Sequence, residues 1–351
     1  MDKSRNRGLD ICRIIACALV IINHNNSKVM LQVIPGSMAW YVTVAVVYLT
    51  KIAVPVFFMI TGYNLLHRID DRRAYFARIV RMSVILAVFT LAYFVWKCLI
   101  GVYDPGESGN PVAGFALGYI RVLFRDTVTD SYWYMYTYLG ILIVLPVLQH
   151  IAAAAEGRTI FTVMMIMSVP LSLIPTAGLF VRGFNLSEYF VLPGVTTAVF
   201  YLFAGHLMYL YRDVKGAGVW LQCLIFAAGF ALNMCFMHME YNMSDGSAFL
   251  SQSEIHSPGI IACSVSFAMV MFRCGSLYPV IEKTVGVLAP LTFGVYLIGD
   301  FMCSTTHMVY YSLCAHMNRL AAVAIQDVAA LAAAFVIVYL VRLIPTVKGW
   351  I

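Results

Sequence analysis

An arginine and a histidine stand at the two ends of an apolar run, RIIACALVIINH, from Arg13 to His24. Successive residues of an α-helix turn by about 100°, so eleven positions make three turns plus about 20°. Both side chains therefore share one helix face, about 16 Å apart along the axis. An imidazole, with an ordinary pKa of about 6.5, can take and return a proton near neutral pH, as a general base must. A guanidinium is always charged, and its planar fork suits phosphate and carboxylate groups. Asp10 lies one turn before Arg13 and is placed to pair with it. Three more ionisable residues interrupt apolar stretches: Lys51, Asp300 and Asp327. Asp300 falls at a depth comparable to His24, where a carboxylate can orient the ring and stabilise an imidazolium, as in a catalytic triad. The plain alternatives are an Arg13 that snorkels to headgroups, a purely interfacial His24, a structural pairing of Lys51 with Asp300 or Asp327, and a solvated Asp327.

These residues need a scaffold, and composition says which kind. The chain has 351 residues, 62% hydrophobic and 11% charged. Soluble domains are about 45–50% apolar and about 25% charged. So apolar a chain reads as a polytopic all-α membrane protein. The formal charge of +6 then reflects basic loops retained on the cytoplasmic side rather than a nucleic-acid partner. The nine cysteines are scattered, without CxxC or Cys/His ligand spacing, so no metal centre is expected. Cys303 and Cys314 flank what reads as one polar loop, and are either a disulfide or two unrelated thiols.

A span takes about 20 mostly apolar residues. About ten transmembrane helices are predicted, near 8–27, 39–65, 79–100, 132–152, 159–178, 189–211, 218–237, 258–272, 285–306 and 321–345. The eighth is short. The first resembles a signal peptide but is interrupted by Arg13 and lacks a small-residue cleavage site, so it reads as an uncleaved span. The segment 111–125 is amphipathic and basic, and either lies on the surface or re-enters. With the N-terminus inside, most Lys and Arg residues fall in inner loops, which predicts N-in and C-in. The stretch 238–257 reads as an outer loop, and HRIDDRRAYFARIVR (67–81) as the charge-dense cytoplasmic one. Residues 1–351 read as a single transmembrane domain.

Several stretches resemble the acyltransferase-3 family of integral membrane acyltransferases. GLDICRIIACALVIINH is similar to the family's first helix, with Asp10, Arg13 and His24 at its motif positions. KIAVPVFFMITGYNLL is similar to its second, with Thr61 where the family has serine, followed by Gly62 and Tyr63. The basic loop 67–81, YWYMYTYLGILIVLPVLQ with Trp133 and Pro146, VFYLFAGHLM and LTFGVYLIGD follow in family order, from residue 8 to about 300. One departure concerns the site: Gly299, followed by Asp300, stands where the family has a histidine. KIAVPVFFMITGY is also similar to the membrane half of membrane-bound serine racemases of vancomycin resistance. The chain thus reads as a complete acyltransferase or as the membrane half of such a fusion.

The resemblance implies transfer of an acyl group, often acetyl, from cytoplasmic acyl-CoA to a hydroxyl or amine of a sugar, polysaccharide or small molecule. The absence of organelle signals and the compact loops point to a bacterial plasma membrane. His24, Arg13 and Asp300 would then be catalytic. Asp10, Lys51, Thr61, Tyr63, Arg72, Arg73, Arg78 and Trp133 would bind donor or acceptor, with the loop arginines taking the CoA phosphates or serving topology alone. Two other functions stay open on the residues themselves: a transporter for a small serine-like solute, with Pro55 and Pro290 as helix breakers, and a non-catalytic membrane scaffold.

Overall fold

The computed structural model describes residues 6–103, 110–125, 128–181, 196–214, 216, 218–243, 254–273 and 279–350. Among these the regular structure is helical, and eight helices or helix pairs are long and apolar enough to cross a membrane. The chain is an all-α polytopic membrane protein. Residues 189–195 of the predicted sixth span and 244–253 of the predicted outer loop lie outside the described residues.

The contacts divide the chain into two units. The first, residues 1–68 and 149–341, is built around α1 (Arg7–Met30), which Asn6 caps by accepting from the Leu9 N–H at 3.2 Å. Helix α1 packs against α2 (Met38–Thr50), α3 (Ala53–Leu65), α11 (Pro258–Met271), α12 (Pro279–Leu288), α13 (Thr292–Cys314) and α14 (Arg319–Val341). No residue of α1 is exposed, which makes it the unit's central helix. Its Cys17 and Ile21 form a core with Val295, Met302 and Cys303 of α13 and Ala330, Ala334 and Val338 of α14, with Phe57 of α3 packed on it.

Small residues let backbones approach where side chains would not fit. A Cβ at Gly62 of α3 would run into the Leu202 carbonyl of α9 (Thr197–Leu210), and one at Gly205 into the Met59 carbonyl. A Cβ at Gly8 would strike the Met271 carbonyl, so the Arg13 end of α1 crosses α11 at backbone distance.

The predicted second span is broken. Helix α2 ends at Thr50 and α3 begins at Ala53. Pro55 has no N–H to return to the Lys51 carbonyl, and its ring crowds that carbonyl, so the helix opens one turn earlier. The polar stretch after Cys303 is helix rather than loop: α13 runs on to Cys314. Thr305 and Thr306 donate back to the carbonyls of Phe301 (3.0 Å) and Met302 (2.7 Å), satisfying their hydroxyls within the helix. Cys303 and Cys314 are both free thiols, eleven positions apart on one helix, which excludes the disulfide.

The second unit comprises residues 69–148 and 342–351. It holds α4 (Arg72–Leu99), capped by Asp71 through the Ala74 N–H at 2.7 Å, and most of α6 (Trp133–Ala154). The amphipathic 111–125 segment forms α5 (Pro111–Phe124), which lies against α4: Tyr119 donates to the Ala87 carbonyl at 2.9 Å, and Phe115 and Phe94 rings meet at 5.1 Å.

Candidate functional site

The site is best followed along α1 from its N-terminus. Asn6 donates to the Tyr63 hydroxyl (3.3 Å) and to the Phe272 carbonyl (3.4 Å), tying the helix start to α3 and α11. The Tyr63 ring meets those of Tyr209 and Phe272 edge-on, each at 5.4 Å. His67 stacks on Tyr209 at 4.0 Å, and the Arg212 guanidinium lies over the same tyrosine at 4.3 Å. Arg7 pairs with Glu282. One turn on, Arg13 donates to Asp10 at 3.1 Å. Asp10 is 4% exposed in its side chain, whereas Arg13 is 37% exposed although it belongs to the central helix. Its guanidinium is thus anchored at one nitrogen by a buried carboxylate, while part of the side chain stays uncovered by the protein.

The His24 end is built differently. The Thr50 hydroxyl, the last of α2, shares its proton between the Val47 carbonyl at 2.7 Å and the Asn23 amide oxygen at 3.0 Å, linking α1 to α2. On another face, Asn25 and Asn26 donate to the two carboxylate oxygens of Asp327 on α14, at 2.8 and 3.0 Å. Gln326, 1% exposed, donates to the Asn25 carbonyl oxygen and to the Cys303 backbone carbonyl, both at 3.2 Å. Three asparagines within four residues therefore hold α1 to its neighbours, and half-buried His24 lies between them.

Helix geometry places the rest. His24 and Arg13 project from one face of α1, between the side that meets Thr50 and the side where Ile21 meets α13. A Cβ at Gly299 would sit 3.5 Å from Ile21, so α13 meets α1 there, with half-buried Asp300 the next residue along α13. Asp300, Lys28 and Asp327 all act electrostatically on the Cys303 thiol, which gathers these charges around one level of the bundle. Lys51 sits at the break of the second span, beside Thr50. Asp327 is engaged by the asparagines.

The first unit therefore brings Asp10, Arg13, His24, Lys51, Thr61, Tyr63 and Asp300 into one body. Thr61 commits its hydroxyl proton to the Phe57 carbonyl at 2.9 Å, and Tyr63 is built into the Arg13 end. Arg72, Arg73, Arg78 and Trp133 belong to the second unit. Arg72 and Arg73 are exposed, Arg78 is held by both oxygens of Asp70, and Trp133 is 41% exposed. Sequence reading missed Asn23, Asn25, Asn26, Gln326, Tyr209 and Arg212. The polar run NHNN at the end of an apolar helix was the signal for the asparagines. Nothing local marked Tyr209 or Gln326.

Helix count and hydropathy define a multi-pass membrane protein, whose central helix carries an arginine and a histidine on one face. The family model for an acyltransferase domain, Acyl_transf_3, matches residues 6–343, and the chain belongs to the acyltransferase-3 family of membrane-embedded enzymes that transfer acyl groups other than aminoacyl groups. No curated protein and no solved structure matches the chain.

Proposed function

We propose that this membrane acyltransferase moves an acetyl group from acetyl-CoA to a hydroxyl of a cell-envelope sugar or small molecule along the Arg13–His24 face of α1. In this reading residues 1–351 act as a single transmembrane acyltransferase domain. The observation that carries it is the pairing of an anchored, partly accessible arginine with a half-buried histidine on one face of the unit's central helix. Arg13, steadied by Asp10, receives an anionic group of the donor. The acyl thioester lies toward His24.

The ring of His24 takes the proton of the acceptor hydroxyl. The hydroxyl oxygen attacks the thioester carbonyl, a new C–O bond forms, and the C–S bond breaks. The proton passes from the imidazolium to the leaving thiolate, so atoms and charge balance. Asp300 stabilises the transient imidazolium. Negative charge develops on the carbonyl oxygen and then on sulfur. Lys51, at the junction of α2 and α3, offers positive charge for it.

The break in the second span also suits a solute pathway, because interrupted helices line transport sites. Such a role would accompany acyl transfer as the route by which the acceptor reaches His24.

The test is transfer of isotope-labelled acetyl groups from acetyl-CoA to polar products in membranes containing the protein. The expected result is label transfer in the wild type and loss of roughly 10²–10⁴-fold in His24→Ala, with the variant still inserted. Undiminished transfer in His24→Ala overturns the assignment of the base.

A further inference from the structure

We infer that Asp327 is a positioning residue, which sets the rotation of α1 through Asn25 and Asn26 and thereby aims His24. This rests on the role proposed above for His24. The bonds form a directed chain. Gln326 donates to the Asn25 oxygen, and Asn25 donates to one oxygen of Asp327. Asn26 donates to the other oxygen of Asp327 and also to the Ile22 carbonyl at 2.9 Å. Asn25, Asn26 and Gln326 are 2%, 3% and 1% exposed, so water cannot replace these partners. On a different face, the Thr50–Asn23 bond completes the grip.

Consecutive helix residues point about 100° apart, so His24 lies about 100° from both Asn23 and Asn25. It can make neither of their contacts, and its direction follows from the helix that they fix. A side chain reaches about 6 Å from the helix axis, so a rotation of about 10° moves the ring by about 1 Å. A misplacement of about 1 Å can cost roughly 10²-fold in rate.

The direction of each bond supplies a specific test, an exchange of carboxylate and amide. Asp327→Asn alone puts a new NH₂ group against one of the two asparagine donors. Flipping Asn25 to accommodate it turns the Asn25 NH₂ toward Gln326, another donor. Asn25→Asp alone sets two carboxylates against each other. The double variant restores every bond: the new amide at 327 accepts from Asn26 and donates to the new carboxylate at 25, which still accepts from Gln326. Only one bond reverses direction.

The readout is the rate at which diethyl pyrocarbonate modifies His24, measured by mass spectrometry against exposed His316, together with acetyl-CoA turnover and the thermal midpoint. Each single variant is expected to change the His24 rate at least about fivefold and to lower turnover up to about 10²-fold. The double variant should bring both within about twofold of wild type. A purely structural role would lower the thermal midpoint without a selective change at His24. A double variant no better than the worse single one, or single variants with an unchanged His24 rate, overturns the inference. Where Asn25→Asp yields no folded protein, Asp327→Asn decides alone: a selective His24 shift at an unchanged midpoint supports the inference, and an unchanged rate refutes it. Failure of the catalytic assignment is distinct, because then His24→Ala keeps its transfer activity whatever the swap does to ring reactivity.

Discussion

The two ends of α1 are held by different means. At the Arg13 end, the helix is fixed by backbone: Gly8 presses on the Met271 carbonyl, and Asn6 caps the first turn while reaching Tyr63 and Phe272. The one charged side chain on the seam there keeps part of its surface accessible. At the His24 end, the helix is fixed by side chains, with asparagine amides on two faces and a carboxylate bridging two of them. The difference matches the tasks. A group that captures a diffusing anion needs reach and tolerates slack, since a charge acts over several ångströms. A group that moves a proton must be held to a fraction of an ångström, which directed hydrogen bonds provide.

Six substitutions test that contrast. His24→Ala should cost the most, roughly 10²–10⁴-fold in transfer, while leaving the affinity for acetyl-CoA unchanged. A loss of both together would mean that the two ends do not act separately. Arg13→Ala should weaken acetyl-CoA binding by about 10–100-fold, the value of a charge-assisted bond to an ionised group. Arg13→Lys should recover part of the loss, since it keeps the charge and loses the planar fork. Gly8→Ala should destabilise the protein by more than about 1 kcal/mol, because its Cβ meets backbone. At the other end, Gly299→Ala should stay within about 0.5 kcal/mol, because its Cβ meets the Ile21 side chain at ordinary contact distance. Thermal denaturation of the two variants side by side reads this difference. Asn23→Ala should cost about 1 kcal/mol, the value of one hydrogen bond, with a few-fold loss of turnover and no change in donor affinity.

The same contrast explains what the sequence could disclose. Charged residues inside apolar runs are visible because they break the pattern, and Asp10, Arg13, Lys51 and Asp300 were found that way. The spans followed from hydropathy, and α1, α4, α6 and α14 lie where the apolar runs placed them. Asparagines at the end of a span carry an ambiguous signal: the run NHNN is visible, but the same residues are equally at home in solvated headgroups. Their meaning depends on a partner about 300 positions away, at Asp327. The reach of α13 was underestimated because CSTTHMVYYS is polar, and hydropathy cannot see that threonine hydroxyls fold back onto their own helix. Pro55 was visible, but where its break falls relative to His24 rests on the Thr50–Asn23 bond.

In the proposed mechanism one face of α1 binds the donor at Arg13 and performs the chemistry at His24. Calorimetric titration of purified wild type, Arg13→Ala and His24→Ala with acetyl-CoA tests it most directly. The account predicts equal affinity for wild type and His24→Ala, and affinity at least about tenfold weaker for Arg13→Ala. Equal affinity in all three folded proteins, or a greater loss in His24→Ala than in Arg13→Ala, would contradict it.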